Sequence, residues 1–570
     1  MSEFDLVVRG GTVADGTGEA LRTADVAVRD GLVVAVGRVD GAGRREIDAD
    51  GALVTPGLVD IHTHYDGQAT WTADLTPSVS HGVTTVVMSN CGVGFAPVRP
   101  GDQQRLIELM EGVEDIPGTA LHEGLPWDWA SFPEFLDSLD RRPHDIDVAA
   151  QIPHGPLRLF VMGERGAARE PATPDEIAEM GRLAAEAVRS GALGFTTSRT
   201  LNHRTSRGEP TPTLTAARAE LVGIAGAIGE TGAGVLQLIT DFPDFDDEVG
   251  TMRAMVEASG RPLSVSLMQI HARPDAWREV LAAITAANDD GLVMRAQVAT
   301  RAIGIVVGLQ ATINPLAKCP GFAAVAGRPV AEQAALLADP VLRAAILAEY
   351  PTATRGLTDN LDRTFVLADP PDYEPEPSQS VSARAAREGV LPEELLYDLL
   401  RSDEGRCLLY VPIINFADGD LRAVAETGHG VGVVEHLGDG GAHVGIISDG
   451  SFPTTLLSHW GRDRTAGPRF ALEWLVRRHT QDTARAVGLL DRGVLAPGYK
   501  ADINVIDFDA LGPCAPRMVY DLPAGGRRLL QPATGYLHTL VSGTPVQSAG
   551  ARTGEAPGRL VRGAQLQPTA

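Results

Sequence analysis

Lysine is almost missing from this chain of 570 residues; it occurs only at Lys318 and Lys500, and arginine supplies the remaining basic charge. Cysteine is nearly as scarce. Cys91, Cys319, Cys407 and Cys514 are widely spread and form no Cys-x-x-Cys pair, which excludes a disulfide framework and fits a reducing cytoplasm. No apolar run reaches the length needed to span a bilayer. The opening stretch Met1–Val8 passes directly into strand-like sequence without a charged and then apolar leader, so no signal peptide and a cytoplasmic location are expected. A basic cluster is also absent. With 49 basic against 74 acidic residues the formal charge is −25, which argues against partners such as nucleic acid or an anionic membrane. Finally, no glycine-rich dinucleotide fingerprint follows the early strands, which weakens a doubly wound α/β fold.

What is present is a chain of ordinary hydrophobicity, long enough for a large domain and a smaller one. Short β-type runs separated by glycine turns fill the start: 5–9, 10–13, 24–28, 32–36 and 52–54. The same texture returns in the tail, in Gly498–Asp507 and Leu540–Pro545. Both ends are therefore expected to build one small β-sandwich domain, from residues 1–57 and 489–570. Between them, apolar runs alternate with helical patterns, which implies an α/β domain with a parallel sheet. Candidate strands are Leu58–His62, Thr84–Ser89, Asp147–Ile152, Leu193–Ser198, Val235–Thr240, Pro262–Met268, Val293–Ala299 and Gly445–Asp449, which predicts a (β/α)8 TIM-like barrel over 58–488. Before the fourth strand, Thr173, Pro174 and Glu176 spell a capping box, followed by an apolar stripe at Ile177, Met180, Leu183, Ala184, Ala187 and Val188. A long insertion at about 302–440 reads as a lid over the barrel mouth or as a subunit contact, and self-association stays open.

Barrel enzymes carry their chemistry at the C-terminal strand ends. The first strand ends in His62-Thr63-His64, and alternation along an extended chain aims both imidazoles the same way, as a divalent metal requires. The second strand ends in Asn90-Cys91-Gly92. The third ends in His154, with Arg158 one helical turn on. The last candidate strand ends in Asp449, preceded by Asp439 to His443. A carboxylate at that end can touch a metal and accept a proton from water. His154 and His443 are further candidates for metal or substrate.

The His62-Thr63-His64 strand after Pro56-Gly57, the Asp449 strand end and the returning Gly498-Tyr-Lys-Ala-Asp502 segment resemble the amidohydrolase superfamily. The Asn90-Cys91-Gly92 turn and His154-Gly-Pro-Leu-Arg158 are similar to its D-aminoacylase (N-acyl-D-amino-acid deacylase) branch. The resemblance implies a zinc hydrolase of amide bonds acting on a small N-acyl substrate. Its metal ligands would be His62, His64, Cys91 and Asp449, and Asp449 would also carry the proton. Many superfamily members use a fourth-strand lysine, which is absent here, as in that branch. The branch's histidines on strands five and six are also missing: Gln237 and Leu267 stand near those places, and His271 is displaced. One zinc ion is therefore favoured over two, unless His154 or His443 rebuilds the second site. The branch's substrate arginine is missing at 238–241; Arg158, Arg199 or Arg301 can take over that clamp by bidentate pairing. Trp127 and Trp129 read as packing under a loop more than as an acyl pocket. Two alternatives remain, hydrolysis of a cyclic amide and a metal-poor barrel with a binding role.

Overall fold

The computed structural model describes residues 3–353, 356, 359–428, 430, 432–434, 437–447 and 449–569, the side chain of Asp449 excepted. Five strands open the chain: β1 (Phe4–Val13), β2 (Arg22–Arg29), β3 (Leu32–Gly37), β4 (Gly43–Asp48) and β5 (Leu53–Pro56). The two runs expected at 5–9 and 10–13 form one strand. Gly10, at φ +62°, takes a bulge where the β1–β2 register shifts, so the glycine pair bends a strand and does not end one.

The middle supplies β6 (Leu58–Asp60), β7 (Val83–Met88), β8 (Asp147–Ala150), β9 (Ile152–Pro153), β10 (Gly194–Arg199), β11 (Val235–Thr240), β12 (Leu263–Ser266) and β13 (Met294–Gln297). All pair in parallel. One sheet runs β6-β7-β8; the other runs from β9 through β10, β11, β12 and β13 to β17 (Val433–Val434). Only Gln151 separates β8 from β9, and its N–H donates to Met88 O at 3.2 Å. A parallel bridge between Thr63 and Gly440 brings the chain after β17 against the chain after β6. Strands β6, β7 and β8 are buried at every position, as expected for a parallel sheet covered on both faces.

The last parallel strand among the described residues is thus Val433–Val434, which pairs with β13, and not Gly445–Asp449. Residues 439–447 form turns, and Asp449 opens a 3-10 turn, Asp449–Ser451; its side chain lies outside the described residues. The apolar run Val444–Ile447 packs as a turn against the insertion. Val306 N–H donates to Ile446 O at 2.6 Å and Thr312 N–H to Gly445 O at 3.1 Å.

The insertion between β13 and β17 has a sheet of its own, β14 (Ile303–Val307), β15 (Phe365–Val366) and β16 (Leu409–Ile414), antiparallel in the order β14-β16-β15. Ile305, Phe322, Leu337, Ile346, Leu396 and Tyr397 form a separate apolar core beneath it.

The tail adds β18 (Ile503–Ile506), β19 (Gly512–Pro513), β20 (Arg517–Leu522), β21 (Gly526–Leu530), β22 (Ala533–Thr534), β23 (Tyr536–Val541), β24 (Thr544–Ser548) and β25 (Ala551–Arg552). Strands from both ends share one nine-stranded sheet, in the order β25-β24-β23-β18-β5-β1-β2-β3 with β4 on β1. The β20–β21 hairpin stands apart from it and donates Leu529 N–H to Val444 O at 2.6 Å. Beyond β25 the chain returns to the parallel strands, where Gly558 and Val561 N–H groups donate to His144 O and Val148 O.

Candidate metal centre

The chain leaving β6 is held from both sides. Thr63 N–H donates to Val87 O at 3.0 Å, His64 N–H to Gly440 O at 2.8 Å, and Asp439 N–H to His62 O at 2.9 Å. Extended in this way, it presents His62 and His64 in the same direction, with their rings 5.6 Å apart. Cys91 joins them from the turn after β7. It sits at φ +54°, a conformation that costs a non-glycine residue energy and is kept where surrounding contacts determine it. Those contacts are present: Asn90 Nδ2 donates to Val87 O (2.9 Å), Asn90 Oδ1 accepts from Gln151 (3.0 Å), and Cys91 N–H donates to Gln237 Oε1 (3.3 Å). One ligand atom from each of His62, His64 and Cys91 lies within 4.8 Å of the others, all buried. His62 Nε2 stands 3.3 Å from Cys91 Sγ.

Asp439 stands beside the cluster, with Oδ1 3.4 Å from His62 Nε2 and 3.5 Å from His64 Nε2. Its neighbours explain how it arrives. A Cβ on Gly438 would meet Asp60 Oδ2 at 2.2 Å, and one on Gly440 would meet Ser78 Oγ at 2.4 Å. Only glycine lets this loop press against the first strand, which leaves Asp439 as the side chain that reaches the histidines.

Outer contacts orient the rings. Gln297, the last residue of β13, sets its Oε1 2.8 Å from His62 Nδ1, which directs Nε2 to the cluster. Burial disfavours a charged His62, but Cys91 and Asp439 outweigh it and raise its pKa to about 9. His64 is likewise raised well above the imidazole range, burial being overcome by Glu114, Asp439 and Cys91. Burial works against ionised Asp439, yet His64, His62 and His443 hold its carboxyl far below the usual range.

A thiol, two imidazoles and a carboxylate, all but the last fully enclosed, form a donor set that suits zinc. His64 Nδ1 is buried without a hydrogen-bond partner among the described residues. The residues fit a metal.

The other predicted residues lie elsewhere. His154 spends Nε2 on Glu220 (2.9 Å) and Nδ1 on Thr197 (2.8 Å), and burial lowers its pKa. Arg158 donates to Glu220 (2.8 Å) and to three backbone carbonyls, and Arg199 forks onto Glu248 (2.7 Å). Arg301 is buried between the rings of Tyr373 and Phe452, 3.7 and 4.4 Å from their centroids. Trp129 donates Nε1 to Phe95 O and packs with Trp127 and Phe135. His271 pairs with Arg363. His443 does approach the centre, with Nε2 3.6 Å from Glu114 Oε2.

Four further residues stand at or around the centre. Asp439 is flanked by glycines, a readable sign of a loop that can press close, while the side chain of Asp449 lies outside the described residues. Gln297 stands at a strand end and was open to the same test as the others. Glu114, on the helix after β7, carries no local signal. His203, whose Nδ1 is 2.9 Å from Ser198 Oγ, has its pKa lowered to about 3 by burial and by His443 and His64.

A profile of the amidohydrolase family matches residues 45–547. D-aminoacylase of Alcaligenes xylosoxydans xylosoxydans is 28% identical, over 98% of this chain and 97% of its own length. N-acyl-D-glutamate deacylase of the same organism is 28% identical over the same shares. A solved D-aminoacylase, described by its binuclear metal centre with one-metal activation and second-metal attenuation, superposes with a TM-score of 0.64 at 25% identity, covering 98% of this chain and 100% of that one.

Proposed function

The chain belongs to the amidohydrolase family, and from that premise we propose that it is a metal-dependent hydrolase of N-acyl-D-amino acids. The observation that carries this reading is the convergence of His62, His64 and Cys91 within 4.8 Å, with Asp439 beside them. The two parallel sheets, which adjoin at Gln151 and at the Thr63–Gly440 bridge, support a (β/α)8 barrel with the centre at its C-terminal mouth.

The metal would be zinc, a single ion that His62, His64 and Cys91 would hold with Asp439 alongside; Gln237 and Leu267 stand where a second full site would need histidines. A zinc ion so held supplies Lewis acidity and lowers the pKa of bound water from 15.7 to roughly 7. The protein's own groups do the rest. Asp439 Oδ1, 3.4 and 3.5 Å from the two imidazoles, takes the proton of the attacking water and returns it to the departing amine nitrogen. The small cavity beside Asp439 is lined by Pro77, Val444, Ile447 and Leu529 together with Ser451, Arg528 and Gln531. Arg158 and Arg199 are committed to Glu220 and Glu248.

The test is amino-acid release from N-acetyl-D- and N-acetyl-L-amino acids by zinc-loaded protein. Hydrolysis of the D series, abolished by chelator and restored by zinc, is expected; no release from any of them would overturn the proposal. Asp439→Asn is expected to lower kcat by roughly 10²–10⁴-fold while zinc stays bound. Asp449→Asn, assayed in parallel, decides between the two carboxylates. If it alone abolishes turnover, the proton carrier is Asp449.

A further inference from the structure

Glu114 closes the helix Gln103–Glu114 and is 1% exposed. Three forces oppose an acid at this place: burial, the negative end of the helix dipole, and Oε2's lack of a hydrogen-bond partner among the described residues. What faces it is two imidazoles. Oε1 lies 3.3 Å from His64 Nδ1, and Oε2 lies 3.6 Å from His443 Nε2. The next residue, Asp115, turns left-handed at φ +51° and accepts Gly445 N–H at 3.0 Å. Consecutive carboxylates thus grip the 443–445 turn from below.

We propose that Glu114 is the positioning residue of the centre, acting on both His64 and His443. Behind His64 it stands where Gln297 stands behind His62: Oε1 lies at ion-pair distance from Nδ1, without the geometry of a hydrogen bond, and Nε2 is left facing Cys91 and Asp439. A carboxylate behind a ligating imidazole raises the ring's basicity as well as orienting it, which an amide does only weakly. The same carboxylate lies 3.6 Å from Nε2 of His443, whose side chain is 23% exposed, an ion-pair distance that biases where this more open imidazole sits. One acid therefore sets the geometry of a ligand and of a more open imidazole together. The inference rests on the metal reading above.

The experiment compares wild type, Glu114→Gln, Glu114→Asp and His443→Ala, each purified metal-free and melted to establish folding. Zinc affinity is measured by chelator competition, the cobalt-substituted visible spectrum is recorded, and KM and kcat are separated. Glu114→Gln is expected to bind zinc about 10–100-fold more weakly and to shift the cobalt bands. Glu114→Asp should recover part of the affinity. His443→Ala leaves His64 its partner, so zinc affinity should stay within about twofold while KM rises. Unchanged affinity and spectrum in Glu114→Gln would overturn the proposal, and if that variant fails to fold, unchanged affinity in Glu114→Asp would do so. An unaltered KM in His443→Ala would remove the second half. Wild type that binds no zinc would instead sink the metal reading itself.

Discussion

Cys91 shows how a single residue is made into a ligand. Its left-handed backbone is costly for a side chain, and the Asn90 bonds and Gln237 hold it there. The strain turns the thiol toward the histidines. Cys91→Ala should therefore weaken zinc binding by more than the roughly 10–100-fold expected for losing an outer partner. Chelator competition reads this directly, and unchanged affinity would return Cys91 to the apolar core. His62, His64 and Cys91 were legible in the sequence because the two histidines follow one apolar strand and the cysteine follows the next. Glu114 was not, because its meaning depends on where a helix ends in space. Asp449 follows an apolar run and resembles a strand end, whereas glycine-flanked Asp439 resembles a turn. Both descriptions are correct locally. Only the pairing of β17 with β13 shows which loop reaches the first strand.

Among elements, the helix Pro174–Arg189 follows its sequence closely. Thr173 accepts from Glu176 N–H, and the Glu176 side chain returns to Thr173 N–H, so the capping box is complete. Met180, Ala184, Ala187 and Val188 are buried as the stripe requires. Thr173→Ala should cost about 1 kcal/mol of stability, seen as a lower denaturant midpoint at unchanged slope. The insertion was harder to read, because nothing in its local pattern announces a core of its own. Glu374 ties it to the segment after Asp449, pairing with His459 (2.9 Å) and Arg464 (2.9 Å). Burial would raise this carboxyl, but those bonds lower it from 4.5 to about 2. A folded pKa below the unfolded one gives stability that is fully present above 4.5 and is lost as pH falls toward 2. The melting-temperature gap between wild type and Glu374→Gln should therefore be wide at neutral pH and shrink through that window. A gap that widens on acidification would contradict the assignment.

For the whole molecule, the two chain ends and the parallel strands hold one another. Asp147 of β8 lies 2.7 Å from Arg492 and 2.9 Å from Lys500, which joins a parallel strand to the returning tail. The segment after β25 adds backbone bonds from Gly558 to His144, Val561 to Val148, Gly563 to Gly191 and Gln565 to Gly488. Deleting residues 557–570 should lower the melting temperature while leaving the metal ligands in place; an unchanged melt would show that this segment only rests on the surface.

The shared sheet also has a consequence in time. Strand β5 has β18 as its outer neighbour, so the sheet begun by β1–β5 stays incomplete until residues 503–548 exist. At about 5–20 residues per second, a ribosome needs on the order of half a minute to a minute and a half to reach them. Through that interval the edge of β5, all four of its residues apolar or uncharged, waits without its partner. The nascent chain is then most exposed to wrong pairing and most dependent on chaperones, because the first strands made are among the last to be enclosed.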